Sequence, residues 1–190
     1  EAMGEGAISV EGRRRPLPDP FLVIATENPV EFEGTFPLPE AQKDRFFLGL
    51  RMGYPSVEAE EEILEAPRRV THPVADLGPV TGPAALRGLQ DLVIAVAVPV
   101  EVEDLILRIV AATRRDPRLQ LGASPRASLA LYRGAQALAG LRGRARAGVD
   151  DVIELAVPVL SRRIAVRPEH QLKGLTEEAV VAGIVEGARA

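Results

Sequence analysis

Phe21 to Phe46 reads FLVIATENPVEFEGTFPLPEAQKDRF. Its first six residues, Phe21 to Thr26, are apolar on both faces, the pattern of a central strand in a parallel sheet covered by helices on each side. Asn28-Pro29 ends the run, because proline restricts the residue before it and has no N–H to give a ladder. Pro37 and Pro39 bracket the next segment, and PEAQKDRF predicts one or two helical turns beginning near Pro39, with Arg45 at their end. FFLGLRMGYP, Phe46 to Pro55, then reads as a second short strand closed by Gly53 and Pro55.

On the N-terminal side, AISVEGRRRPLPDP has short β-prone residues with Gly12 at a turn, and Pro16, Pro18 and Pro20 limit further pairing. That predicts a small hairpin. The opening EAMGEGAISV has no initiating Met and reads as the last turn of a helix, so the chain is expected to be a piece of something longer.

On the C-terminal side the spacing becomes helical. Ser56 is an N-cap candidate for VEAEEEILEA, whose first turns are acidic where the macrodipole favours acids. After a loop with His72, Pro73 and Gly78, Leu86, Leu89, Val93 and Val96 recur at helical intervals. Val102, Leu105, Ile106, Ile109, Val110 and Thr113 form the cleanest i, i+3, i+4, i+7 stripe in the chain. Ser124-Pro125 marks a helix start, cap followed by proline at the first helical position. Asp150 is the candidate cap of the next helix, with its stripe Val152, Leu155, Ala156, Val159 and Leu160 and with Pro158 inside it, and Thr176 that of the last, Glu177 to about Arg189. The predicted division is an α/β portion over residues 1–53 and a helical portion over residues 54–190.

The 190 residues are 46% hydrophobic, 26% charged and 4% aromatic, with no Trp, so the core is built from Leu, Val, Ile and Ala. A net charge of −4 argues against a broad nucleic-acid face. With no Cys, disulfides, thiolate catalysis and Cys-based zinc sites are excluded. The longest uninterrupted apolar run, Leu92 to Val100, is too short to cross a bilayer, and a soluble, cytoplasmic protein is expected.

Two residues of the opening stretch are candidates for chemistry. Asn28 follows a predicted central strand, and ligands gather at the carboxyl ends of such strands. A neutral amide there can donate to a phosphate oxygen or orient a water without repelling polyphosphate; the plainer reading is an Asx turn with Pro29. Arg45 is either a surface ion-pair partner of Asp44 or Glu40, worth little, or a fixed guanidinium for phosphate charge, including that on a neighbouring subunit.

ATENPVEFEGTFPLPEAQKDRF, GYPS and TRRDPRLQLGASPRASLALYRGAQALAGLRGR together resemble the MoxR family of AAA+ ATPases through nearly the whole chain. The family pattern reads close to ATQNP, EGT, PLPEAQLDRF and LGASPRA. The resemblance implies that Asn28 is sensor 1, which senses the γ-phosphate and positions the attacking water. Arg45 corresponds to the arginine finger that reaches the adjacent subunit's nucleotide, and Arg126, in SPRA, to the sensor 2 arginine that the lid offers to ATP. Arg126 is physically apt for this, in the first turn of a helix where the dipole also meets an anion. The hairpin with Arg13 to Arg15 resembles the insertion before sensor 1 that tends to face the central pore, although a solvated tip is the plainer reading of such a charge run. Glu31 and Glu33 share the signature, with subunit contact as their implied work.

Two positions depart from the pattern, Glu27 for Gln and Lys43 for Leu. No GxxxxGK[ST] loop and no apolar run ending in Asp-Glu is present, so the phosphate-binding lysine and the Mg²⁺-holding acids are expected before Glu1, and this chain alone is expected to be inactive. The implied fold is the end of an α/β nucleotide-binding core, with its hairpin and last strands, followed by a helical lid. The implied function is ATP-driven, chaperone-like remodelling by a homo-oligomeric ring, usually a hexamer, with ATP and Mg²⁺ as cofactors, often with a von Willebrand factor A domain partner. The competing reading is a non-catalytic fragment that oligomerises or binds a partner; its exposed sheet face and edge predict association in isolation.

Other residues are assigned no chemistry. His72 and His170 lack partners at metal-ligand spacing, Asp150-Asp151 suits a helix start, Ser124 suits a cap, and Arg142, Arg144 and Arg146 form a basic cluster that suits a helix end or partner acids.

Overall fold

The computed structural model describes residues 2–27, 38–65 and 73–189. A helical turn, α1 (Ala2–Glu5), leads into an antiparallel hairpin of β1 (Ala7–Val10) and β2 (Arg13–Pro16), with Ala7 opposite Pro16 and Val10 opposite Arg13. Its two-residue turn has positive φ at both Glu11 (52°) and Gly12 (74°), the geometry whose twist matches the flanking strands. The hairpin is where the sequence predicts it.

The two predicted strands after it are not strands. Phe21–Thr26 and Phe46–Pro55 have no ladder partner among the described residues, whose sheets are two antiparallel pairs. Leu22 and Ile24 are 79% and 82% exposed. A buried parallel strand needs a neighbour on each side and helices on both faces, and the described residues supply neither. Between these segments the turn α2 (Glu40–Lys43) follows Pro39 as expected, with Arg45 just past its end.

The core lies further on. Helix α3 (Val57–Glu65) has the Ser56 hydroxyl accepting the Ala59 N–H at 3.3 Å, but buries no residue. Helix α4 (Pro83–Ile94) is also without a buried residue, so Leu86 and Leu89 of its predicted stripe face outward. Gln136, itself buried, ties the end of α4 down by donating from Nε2 to Val96 O at 2.7 Å.

Helix α5 (Val100–Arg115) buries all six residues of the stripe read from the sequence. A strand β3 (Leu119–Leu121) follows, then α6 (Pro125–Leu141), α7 (Val149–Leu160), a 3₁₀ turn over Ser161–Arg163, β4 (Ala165–Val166), the short α8 (Pro168–Gln171) and α9 (Glu177–Arg189). α5, α6, α7 and α9 close one apolar core. The buried face of α6 is Ala127, Ala130, Ala135 and Ala139 with Leu131 and Gly134, small residues that let α7 lie close. β3 and β4 pair antiparallel through Leu119 and Val166 and bind the loop after α5 to the segment after α7.

The cap of α7 differs from expectation. It is Gly148, not Asp150, and the buried Asp151 carboxylate reaches back to accept the Gly148 N–H at 2.8 Å. The cap of α9 is as read, with Thr176 Oγ1 accepting the Ala179 N–H at 3.2 Å. Among the described residues no helix is long and apolar enough to cross a membrane.

Candidate functional site

Arg45 lies in a turn between α2 and the extended segment that crosses the helical unit. Its guanidinium packs over Gly4 of α1, where an added Cβ would stand 2.2 Å from a terminal nitrogen. It lines an open groove of about 430 Å³ with Met3, Leu17, Phe21 and Phe47. Neither ion pair considered from the sequence forms: Glu40 pairs with Lys43 at 3.0 Å and Asp44 turns to Arg163.

The helical unit holds the backbone after Arg45 and the side chain of Asp44 before it. Arg163, whose side chain is 4% exposed, donates to Phe47 O at 3.0 Å, to Phe46 O and to Val159 O, the last on α7. Its Nε stands 3.3 Å from Asp44 Oδ1, a buried ion pair in which neither atom makes a hydrogen bond. Burial lowers the Arg163 pKa from its ordinary value, with the Asp44 carboxylate opposing; a guanidinium remains charged throughout. One step further, Gly49 N donates to Pro158 O at 2.8 Å. A side chain at Gly49 would meet the Arg162 stem, with Cγ 2.6 Å from an added Cβ.

Arg126 is in the first turn of α6 and exposed. Its backbone N–H donates to Ser124 Oγ at 3.1 Å, completing the cap that Ser124-Pro125 predicts. The same hydroxyl donates to Asp44 Oδ2 at 2.8 Å. The loop before the cap is fixed from behind: Arg114 Nε donates to Ala123 O at 2.8 Å, and Thr113 Oγ1 accepts from Ala123 N at 3.0 Å. Thus Arg45 and Arg126, 81 positions apart in the chain, are each within two residues of one carboxylate–hydroxyl contact. Among the described residues the guanidinium of Arg126 makes no ion pair or hydrogen bond.

Asn28, Glu31, Glu33 and His72 lie outside the described residues. Glu27, beside Asn28, approaches Arg162 at 3.8 Å across an exposed gap, a pairing worth little. The cluster Arg142, Arg144 and Arg146 is engaged within the chain, with Asp151 and Glu154, Asp151, and Glu101 respectively. Arg14 pairs with Glu5 at 3.2 Å on the exposed hairpin. Among the described residues no group of three potential metal ligands gathers. The residues missed from sequence are Asp44 and Arg163. Arg163 carried a signal, a charge inside the apolar run VPVLSRRIAV with no local acid, which requires a distant partner.

Residues 1–48 match the family described as ATPase family associated with various cellular activities (AAA), and residues 111–184 match the AAA lid domain. The chain is 43% identical to the uncharacterised protein YeaC of Bacillus subtilis, over all of its own length and 59% of that protein. It is 39% identical to Chaperone MoxR1 of Mycobacterium tuberculosis, over 98% of itself and 51% of that protein. A crystal structure of a protein taken to be an ATPase, from Cytophaga hutchinsonii, superposes with a TM-score of 0.88 at 29% identity, covering 97% of this chain and 58% of that one. The chain therefore spans between half and three fifths of the proteins it matches. Fold and matches define a AAA+ protein, carrying the end of the core module and the helical lid. Within that class the chain belongs with the MoxR family.

Proposed function

We propose that this chain is the sensing and lid portion of a MoxR-type AAA+ ATPase, with residues 1–53 completing the nucleotide-binding core and residues 54–190 forming the lid. In this reading Asn28 positions the attacking water, Arg126 meets the nucleotide of its own subunit, and Arg45 reaches that of the next subunit. The rest of the polypeptide supplies the phosphate loop, the acids that hold Mg²⁺ and the strands that flank Phe21–Thr26. The assembly is a homo-oligomeric ring, a hexamer by family resemblance, acting in the cytoplasm on protein complexes, with a von Willebrand factor A domain protein as partner.

The observation that carries this reading is Arg45 itself. Its charge is left without an acid among the described residues, while the Asp44 side chain before it and the Phe46 and Phe47 carbonyls after it are tied to the helical unit. A guanidinium on an anchored turn, with no acid beside it among the described residues, suits anionic charge that develops elsewhere. The test is ATP turnover by the polypeptide that contains this chain together with a phosphate loop. Arg45→Ala is expected to lower kcat by about 10³–10⁵-fold, the range for an arginine finger, with ATP still bound. Unchanged turnover would remove the finger assignment.

A second reading, a fragment that associates without turnover, is favoured by the exposed apolar residues Leu22, Ile24, Leu50, Met52 and Tyr54. Light scattering of the 190-residue chain decides it. A strictly monomeric species at high concentration counts against association.

A further inference from the structure

We infer that Asp44 and Arg163 are positioning residues that lock Arg45 to the N-terminus of α6, so that Arg45 and Arg126 move as one body. The inference rests on the reading of Arg45 and Arg126 as the two nucleotide-facing arginines. It goes beyond that reading by naming what couples them.

A buried ion pair is a poor way to gain stability, since desolvating both charges opposes their attraction, and apolar residues of similar volume serve as well. What this pair has that an apolar contact lacks is direction. Asp44 accepts the Ser124 hydroxyl at Oδ2, while its Oδ1 meets Arg163 Nε at 3.3 Å through charge alone. Arg163 directs its terminal nitrogens at the carbonyls of Phe46 and Phe47, the two residues after Arg45, and at Val159 of α7. Arg45 is thereby bracketed: the residue before it is tied to the cap of α6, and the residues after it to the end of α7. A planar guanidinium with donors in a fixed fork holds such an arrangement where a lysine does not.

The consequence is mechanical. A lid movement that brings Arg126 to the nucleotide of its own subunit carries Asp44, and with it Arg45, through the Ser124 contact. If Arg45 serves the neighbouring site, occupancy of one site changes the geometry of the next through this single carboxylate. By contrast, the 3.8 Å approach of Glu27 to Arg162 is exposed and too weak to transmit such a movement.

The test uses the phosphate-loop-containing polypeptide with Asp44→Asn, Arg163→Lys and Arg163→Met, and reads hydrogen exchange of the Gly49 amide, which donates to Pro158 O, together with steady-state ATP turnover. Asp44→Asn keeps the side-chain volume and carries the test if Arg163→Met fails to fold. In Asp44→Asn and Arg163→Lys we expect exchange of the Gly49 amide to accelerate at least about tenfold without nucleotide, as for local opening. We expect kcat to fall about 10–100-fold with KM for ATP nearly unchanged, the cost of misplacing a group by about an ångström. In an Arg45→Ala background the same changes should remove no further residual turnover. Unaltered exchange in both variants overturns the lock whatever the turnover does. So does a kcat loss of equal factor with and without Arg45, where Arg45→Ala is itself damaging. Accelerated exchange in a protein whose Arg45→Ala variant is fully active upholds the lock and removes the finger assignment instead.

Discussion

Gly134 on α6 faces Leu155 on α7 so closely that an added Cβ would stand 3.0 Å from Leu155 Cδ1 and 3.6 Å from Phe47 Cζ. Two packing surfaces meet at this glycine: the contact between the helices and the seat of the Phe47 ring. Replacing glycine by alanine in a helix interior normally gains up to about 1 kcal/mol. Here we expect that gain to be lost, and Gly134→Leu to cost about 1–3 kcal/mol as an overpacked core does. Denaturant melts of the three forms compare them directly. Gly134→Leu should also loosen Phe47, visible as faster exchange in the Arg45 segment.

Asp151 should give the helical unit an acid-sensitive joint. Burial pushes its carboxyl up, but the Arg144 guanidinium, the Gly148 N–H and the Arg142 charge outweigh this and hold it below the ordinary carboxylate value. The folded form thus binds the proton less readily than the unfolded form. Its contribution to stability is complete above the unfolded pKa of about 4 and is lost as pH falls from there through the folded value. We expect Asp151→Asn to lower neutral-pH stability by about 1–3 kcal/mol, since it leaves Arg144 short of its charged acceptor. The variant should also flatten the stability profile below about pH 4. A variant with the native acid slope would assign that slope to other carboxylates.

Ser124 both accepts, from Arg126 N, and donates, to Asp44. Aspartate is ordinarily as good a cap as serine, but an ionised carboxylate has no proton to give. Ser124→Asp is therefore expected to be less stable than Ser124→Thr, by about 1–3 kcal/mol for the unsatisfied charge at Asp44. Equal melting temperatures would show that the contact with Asp44 carries no weight.

The two helical stripes make opposite predictions. Ile109 is fully buried and Leu89 is 55% exposed. Ile109→Ala should cost about 2–5 kcal/mol, and Leu89→Ala should stay within about 0.5 kcal/mol in the 190-residue chain. If Leu89→Ala matters only in the longer polypeptide, the face of α4 is covered there.

These contrasts mark what the sequence displays and what it conceals. The α5 stripe, the caps at Ser56, Ser124 and Thr176, and the Glu11-Gly12 turn rest on contacts within a few residues, and all were legible. Phe21–Thr26 looks like a buried strand because its composition is one, yet a ladder depends on neighbours that a local pattern cannot display. Asp150 and Asp151 are adjacent acids, and only backbone geometry puts the cap at Gly148 and aims the second of them back at its N–H. Arg45 and Arg126 were singled out only through family resemblance, and the Asp44–Arg163 pair that joins their surroundings left no such mark. Its partners are more than 100 positions apart and obey no periodicity.

That separation also orders events during folding. The Arg163 contacts to Phe46 and Phe47 span 117 and 116 positions, and closing a flexible loop of that length costs about 4 kcal/mol from the logarithmic term alone. The contacts of α5 with α6 and of α6 with α7 join helices adjacent in sequence, and such local contacts are expected to form first. Arg163 cannot bind those carbonyls until α7 has ended and its 3₁₀ turn has formed. The segment bearing Arg45 is therefore a late arrival, docking on a bundle already assembled, and in a nascent chain it must wait until more than a hundred further residues have been synthesised.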